Sequence, residues 1–250
     1  MKALEKVIIL DFGGQDGQLI ARKIRKLKVY CEIMPYSTSF KILLAENPSA
    51  LILAGGPDSI YKDNAPRCDT RIYTLDIPVL GICYGMQLMA GDLGGEVIQG
   101  RDQGYGEAAL SVIEEGEGLF AGLGNEFPAW VNYGDQVKKA PPGFKVLAQG
   151  SHVPVAAMVD ISRKLFGLQF HPEDPHTPQG DLLLKNYLEK ICGLSGDWTM
   201  ENFVKNSIME IRKKVGPDAR AVCGLSGGID SSVAAVLVHR ALGERLTCIF

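Results

Sequence analysis

No two of the six cysteines lie close together. Cys31, Cys68, Cys83, Cys192, Cys223 and Cys248 are at least fifteen positions apart, so the sequence lacks the paired thiols that zinc sites and redox motifs use. In a reducing compartment most of them are expected to be buried small hydrophobes, without disulfides. An excess of charge is missing too. A formal net charge of −3 leaves no electrostatic footprint for a nucleic acid or an anionic membrane. The densest basic stretch is Arg22, Lys23, Arg25, Lys26 and Lys28, interleaved with Ile24 and Leu27. It reads as the solvated face of an amphipathic helix. Near the start, only Val7 to Leu10 forms an apolar run, too short for a signal-peptide core or a membrane span. The expectation is a cytoplasmic protein. Internal repeats and low-complexity tracts are also absent.

What is present is the composition of a globular protein, 46% hydrophobic and 22% charged, with material for a sizeable core. The 250 residues exceed one domain of roughly 100 to 200, which implies a complete domain plus a small one or a fragment.

Short β-branched runs alternate with helical patterns over the first hundred residues. Val7 to Phe12, Val29 to Met34, Ala50 to Ala54 and Pro78 to Ile82 are expected strands. Leu19, Ile20, Ile24 and Leu27 follow helical spacing after Gly14, as does Met86 to Leu93 after the fourth strand. This is the signature of an α/β fold, a mainly parallel sheet flanked by helices. From Ala108 the rhythm shifts to closely spaced strands at Ala108 to Ile113, Ala129 to Val137, Val155 to Val159 and Leu165 to Phe170, expected to be largely antiparallel. A helix is then expected from an N-cap at Thr177, with Pro178 as its first residue, to Gly193. The turn-forming residues Ser195, Gly196 and Asp197 mark a junction, giving domains 1–194 and 195–250. The second has a helix ending before Pro217, a strand at Ala219 to Leu225, a helix at Asp230 to Leu242 and a strand at Leu246 to Phe250. That is one βαβ unit, and two parallel strands are too few to be covered on both faces.

Gly81-Ile82-Cys83-Tyr84-Gly85 turns an apolar strand into a helix, the thiol counterpart of the nucleophile elbow. Its glycines permit a tight turn that presents the side chain. A cysteine at a helix N-terminus meets the dipole and unpaired N–H groups that stabilise a thiolate. A lone cysteine is as a rule buried and inert, so a second element has to decide. That element is Gln169-Phe170-His171-Pro172-Glu173. Residues two apart on an extended chain share a side, so Glu173 can orient the His171 imidazole. A histidine general base backed by a carboxylate is what a cysteine nucleophile needs. Gly55-Gly56-Pro57 follows the third strand and is either a tight turn or a loop that lets the Gly56 N–H approach a reacting carbonyl. With the Tyr84 N–H it would form an oxyanion hole. His152, His176 and His239 read as structural.

These three separated segments resemble the class I glutamine amidotransferases. The resemblance narrows to the GMP synthase group through Leu10-Asp11-Phe12-Gly13, Gly81 to Gln87, His176-Thr177-Pro178-Gln179-Gly180 and Gly196-Asp197-Trp198-Thr199-Met200-Glu201-Asn202. It implies a flavodoxin-like amidotransferase domain in which Cys83 attacks the side-chain amide of glutamine. A γ-glutamyl thioester forms, ammonia leaves, and water activated by His171 frees glutamate. Gly55, Gln87, Asn132 and Tyr133 are implied as glutamine contacts. The chain departs from that group's usual pattern at Asn132 and Tyr133 (Ser and His), at Gly14, Asp16 and Gly17 (Ser, Tyr and Thr), and at Asp174 and Pro175 (Val and Thr). The alternative is therefore a noncatalytic regulatory or scaffold module with an altered glutamine pocket.

Ser226-Gly227-Gly228-Ile229-Asp230-Ser231-Ser232 joins a strand to a helix, so its N–H groups can cradle an anion. No Lys follows the glycines, which excludes a Walker A loop. The segment resembles the pyrophosphate loop of ATP pyrophosphatases, implying the start of an adenine-nucleotide alpha-hydrolase-like domain. ATP with Mg2+ and xanthosine monophosphate (XMP) are implied as its ligands, and homodimerisation is implied through parts of that domain beyond Phe250. No metal is expected at the cysteine site. The chain alone is expected not to make GMP.

Overall fold

The computed structural model describes residues 5–99, 105–132 and 134–250. Two compact units divide the chain, Met1–Gly196 and Asp197–Phe250.

The first unit is built on a nine-stranded mixed sheet in the order β2-β1-β3-β4-β11-β10-β9-β6-β7. Its parallel part comprises β1 (Lys6–Asp11), β2 (Tyr30–Pro35), β3 (Ala50–Leu53) and β4 (Val79–Ile82). β3 and β4 are buried at every position, as expected of central strands covered on both faces. Alternate residues feed two cores. Val7, Ile9 and Ile52 pack on one face against Ile20 and Ile24 of α1 (Asp16–Lys26), while Ile8, Leu10 and Leu53 pack on the other against Met86 and Met89 of α3 (Tyr84–Asp92). A short α2 (Phe40–Glu46) connects β2 to β3.

The antiparallel part holds β6 (Tyr105–Val112), β7 (Glu126–Asn132), β9 (Lys145–Gly150) and β10 (Val153–Asp160). It meets the parallel part at β11 (Leu165–Leu168), which runs antiparallel to β10 and parallel to β4. Two further strands, β5 (Glu96–Gln99) and β8 (Asp135–Lys139), form their own antiparallel pair.

Four expectations are corrected. The single strand Ala129 to Val137 is two strands, β7 and β8, in different sheets. β5 and β9 were not expected, because their polar ends hide the short apolar stretch that each buries. The helix expected from Thr177-Pro178, α4 (Gly180–Asn186), starts later, with Gln179 as N-cap. The Thr177 hydroxyl accepts instead from the Trp130 N–H at 2.9 Å, a tertiary bond that outcompetes capping. A π-helical turn over Tyr187–Ile191 then ends the element. The basic run of α1 is not simply solvated either. Lys23 donates to the Asp181 carboxylate at 2.6 Å and to the Pro172 carbonyl at 3.2 Å, tying α1 to α4 and to the segment that carries His171.

The second unit contains α5 (Met200–Val215), capped by the Thr199 hydroxyl accepting from Asn202 N–H, then β12 (Ala221–Gly224), α6 (Ile229–Leu242) and β13 (Leu246–Ile249). β12 and β13 pair in parallel. Among the described residues no helix is long and apolar enough to cross a membrane.

Candidate active site

Four parallel strands of the first unit end on one side of the sheet, and the segments leaving them meet there. β1 leads to Gly14 and Asp16, β3 to Gly55 and Gly56, β4 to Cys83, and β11 to His171. The crevice beyond the carboxyl ends of parallel strands is where open α/β sheets place ligands. Because Ile82 pairs with Leu168 and the Cys83 N–H donates to the Leu168 carbonyl at 2.7 Å, the residues just past these adjacent strands face each other. A cavity of about 270 Å3 opens at this point, lined by Gly14, Asp16, Gly56, Pro57, Cys83, Trp130, His171 and Asp174.

Cys83 has φ 50° and ψ −107°, a positive-φ conformation rare for a residue with a side chain. The flanking glycines are required by packing. A Cβ on Gly81 would lie 2.7 Å from the Gly85 carbonyl oxygen and from the Met86 nitrogen, and one on Gly85 would lie 2.3 Å from the Leu53 carbonyl oxygen. Gly85→Ala is therefore expected to destabilise the first unit by at least about 3 kcal/mol, the upper part of the range for overpacking, since the clash is with main chain. A urea unfolding midpoint unchanged from the wild type would contradict this.

The His171 Nδ1 lies 2.7 Å from Glu173 Oε1, and the His171 and Cys83 side chains line the same cavity. Cys83, His171 and Glu173 are all buried. The second carboxylate oxygen of Glu173 is buried without a partner among the described residues. The His171 N–H donates to the Trp130 carbonyl at 3.0 Å, which anchors its backbone. Burial is the largest influence on the imidazole and opposes its charge. Cys83 and Glu173 together outweigh it, and His171 is held well above the usual 6.5.

A folded value above the unfolded one means that this group's stabilisation is fully present below about 6.5 and fades as pH rises through the folded value. The destabilisation caused by His171→Gln, read as a difference in melting temperature, is thus expected to be larger in mildly acidic than in alkaline buffer.

Gly56 stands in the cavity wall. A Cβ there would lie 3.0 Å from the Phe12 Cβ and 3.1 Å from its carbonyl oxygen. Tyr84 opens α3, so its N–H is among those a helix leaves without an internal acceptor. Gly55 lies behind the wall: a Cβ there would be 2.2 Å from the Asp16 Oδ2 and 3.2 Å from the His171 Cε1. Gln87 sits one turn after Cys83, buried, with its amide nitrogen donating to the Asp135 carbonyl at 2.6 Å; it is not among the lining residues. Tyr133 and the side chain of Asn132 lie outside the described residues. Sequence reasoning missed Trp130, which stacks on His176 with ring centroids 4.7 Å apart, and gave no role to Asp16 or Asp174. Ligating atoms of Asp16, His171 and Glu173 lie within 4.8 Å of one another, the one mixed set among the described residues able to hold a metal ion.

In the second unit, the 226–232 loop links β12 to α6. Gly227 has φ 80°, the Ser226 and Ser231 hydroxyls are 3.1 Å apart, and both Ser231 and Ser232 donate to the Gly228 carbonyl. The loop is largely exposed at the start of α6. N–H groups at a helix start and clustered hydroxyls fit a phosphate chain.

A cysteine at positive φ and a histidine-carboxylate pair thus meet at one cavity on the carboxyl edge of a mixed sheet. Residues 8–191 match the family profile of glutamine amidotransferase class-I, and the chain belongs to that family. Residues 199–249 match a second profile, NAD synthase. Within the family, the chain is 54% identical over 245 residues to a GMP synthase [glutamine-hydrolyzing] of Carboxydothermus hydrogenoformans and 49% identical over 249 residues to that of Heliobacterium modesticaldum. These alignments cover 98% and 100% of this chain and 48% of each relative. The chain thus spans about half the length of the curated relatives it matches. The solved structure of a Thermoplasma acidophilum protein, provisionally designated a GMP synthase subunit, superposes with a TM-score of 0.69 at 28% identity, covering 77% of this chain and 96% of its own. A glutamine amidotransferase from Thermotoga maritima, at 18% identity and a TM-score of 0.63, shares the fold; it covers 76% of this chain and 98% of its own.

Proposed function

We propose that the first unit hydrolyses the side-chain amide of L-glutamine and releases ammonia, as the glutamine-using part of a GMP synthase. The observation that carries this reading is that one open cavity is lined by both Cys83 and a His171 held by Glu173 at 2.7 Å. In the proposed cycle His171 takes the thiol proton as Cys83 Sγ attacks the amide carbon, and the Gly56 and Tyr84 N–H groups receive the charge on the amide oxygen. His171 then passes the proton to the departing nitrogen, leaving a γ-glutamyl thioester on Cys83. Water attacks the thioester with His171 again as base, glutamate leaves and the thiol is restored. Glu173 holds the imidazole in the required tautomer throughout. Gln87 supports the wall through the Asp135 carbonyl.

For the second unit, the 226–232 loop is the proposed seat of the pyrophosphate part of ATP, with Mg2+ accompanying the nucleotide; the hydroxyls of Ser226, Ser231 and Ser232 and the N–H groups at the start of α6 would hold it. ATP bound there would supply the group that activates XMP for attack by ammonia. The similarity of residues 199–249 to the NAD synthase profile and to the relatives named above supports this. The domain boundary is proposed at the 194–197 turn. The test is glutamate release from L-glutamine by the purified chain against its Cys83→Ala variant. No difference between them would leave the noncatalytic module as the better reading.

A further inference from the structure

The proposed cycle depends on Glu173 staying against His171, yet little holds the Glu173 carboxylate itself. One oxygen meets the imidazole at 2.7 Å, and the other is buried without a hydrogen-bond partner among the described residues. Its place is therefore set by the main chain that leads to it. His171 is anchored through its N–H on the Trp130 carbonyl, and Thr177 through its hydroxyl on the Trp130 N–H. Between them stands Pro172. Its ring fixes φ and leaves ψ as its soft dihedral, and the direction of the Pro172 carbonyl follows ψ. Whatever holds that carbonyl limits how far Glu173 can turn away from His171. Two contacts hold it. Gly180, the first residue of α4, lies so close that a Cβ there would be 1.9 Å from the Pro172 oxygen. Lys23 of α1 donates to the same oxygen at 3.2 Å. The Lys23 ammonium is in turn held by Asp181 Oδ1 at 2.6 Å, with only 22% of the lysine side chain exposed, so solvent screens it less than it would a surface pair.

We propose that Lys23 is a positioning residue for the glutaminase centre: its bond to the Pro172 carbonyl keeps the Glu173 carboxylate within reach of His171. The inference rests on the glutaminase reading above, which gives that pair its chemical role. The competing account is that Lys23 only joins α1 to α4 through Asp181. Two variants separate them. Lys23→Met keeps the aliphatic stem and removes the ammonium, while Lys26, 3.1 Å from Asp181 Oδ2, still ties α1 to α4. Asp181→Asn removes the charge from both of these ion pairs but leaves Lys23 an acceptor there and its bond to Pro172.

The test compares both variants with the wild type as full chains, by glutaminase kinetics and by the ring-proton NMR signals of His171, identified by their absence from His171→Gln. Lys23→Met is expected to lower kcat by about tenfold, within the roughly hundredfold that a misplacement of 1 Å can cost. KM should stay within about twofold, the mark of an interaction felt in the transition state. The sign of the histidine titration separates position from charge. A loosened Glu173 supports the imidazolium less, so the titration of His171 moves toward acid in Lys23→Met; Cys83, Asp16 and Asp174, which line the cavity beside the ring, are unchanged. Mere loss of a neighbouring positive charge would move it toward alkali. Asp181→Asn is expected to leave kcat and the titration near their wild-type values. The proposal is overturned if Lys23→Met keeps kcat within about threefold of wild type, if its His171 titration is unmoved or moves toward alkali, or if Asp181→Asn loses as much turnover as Lys23→Met. Because the titration needs no substrate, absence of Cys83-dependent hydrolysis in the wild type would sink the glutaminase reading while the histidine signals still decide the role of Lys23.

Discussion

Cys83→Ala is expected to remove glutamate release to below a ten-thousandth of the wild-type rate while leaving the fold intact. The magnitude follows from the nature of the group removed. Without the sulfur no thioester forms, and deletion of a covalent nucleophile costs on the order of 10⁴ to 10⁶ in turnover in enzymes of this logic. What remains is whatever the oxyanion donors and binding supply to direct attack by water. The fold should tolerate the change, because alanine keeps the Cβ that fixes the turn at φ 50° and loses only a sulfur atom at the cavity wall. Equal melting temperatures with a collapsed rate would locate the effect in chemistry. A residual rate of a tenth or more would mean that glutamine is hydrolysed elsewhere.

The parallel half of the fold was legible because its strands are buried on both faces. Val7 to Leu10 and Ala50 to Leu53 are unbroken apolar runs, and such runs between turns leave few alternatives. The antiparallel half was less legible. β9 reads Lys-Val-Leu-Ala-Gln-Gly and shows only two fully buried positions, and β7 and β8 run together in sequence while belonging to different sheets. The Thr177 misreading has a similar cause: its hydroxyl fits a cap locally, but the Trp130 N–H, far away in sequence, takes it.

The chemical centre divides along the same line. Cys83 announced itself through two glycines that no other residue could replace sterically, and His171 and Glu173 through a spacing that works within a single segment. Asp16 and Trp130 did not, because each reaches the cavity from a different segment and only the order of the strands brings them there; Asp174 directly follows Glu173 but forms no pattern of its own. Asp16 in particular looked like an ordinary acidic residue in the first turn of a helix, where it suits the dipole. Its approach to within 4.8 Å of His171 and Glu173 is a three-dimensional fact.

Glu173→Gln is expected to lower kcat by about 10³ to 10⁴ with a much smaller change in KM, even though the substitution is nearly isosteric. The argument turns on one proton. With a carboxylate at 2.7 Å, the His171 Nδ1 must donate, which leaves Nε2 free to accept the thiol proton. A glutamine amide can present its NH2 to the same nitrogen, so Nδ1 becomes an acceptor and Nε2 carries the hydrogen, the tautomer that cannot act as a base. The charge that favours imidazolium is lost at the same time, so the raised proton affinity of His171 should fall. That second effect gives the test a readout separate from rate: the histidine titration, followed by the ring-proton NMR signals of His171, should move toward acid in Glu173→Gln. Burial of the carboxylate is the reason to expect a large effect, since almost no water reaches Glu173 to replace it. Turnover within threefold of wild type, with an unmoved histidine titration, would mean that Glu173 only packs beside the imidazole.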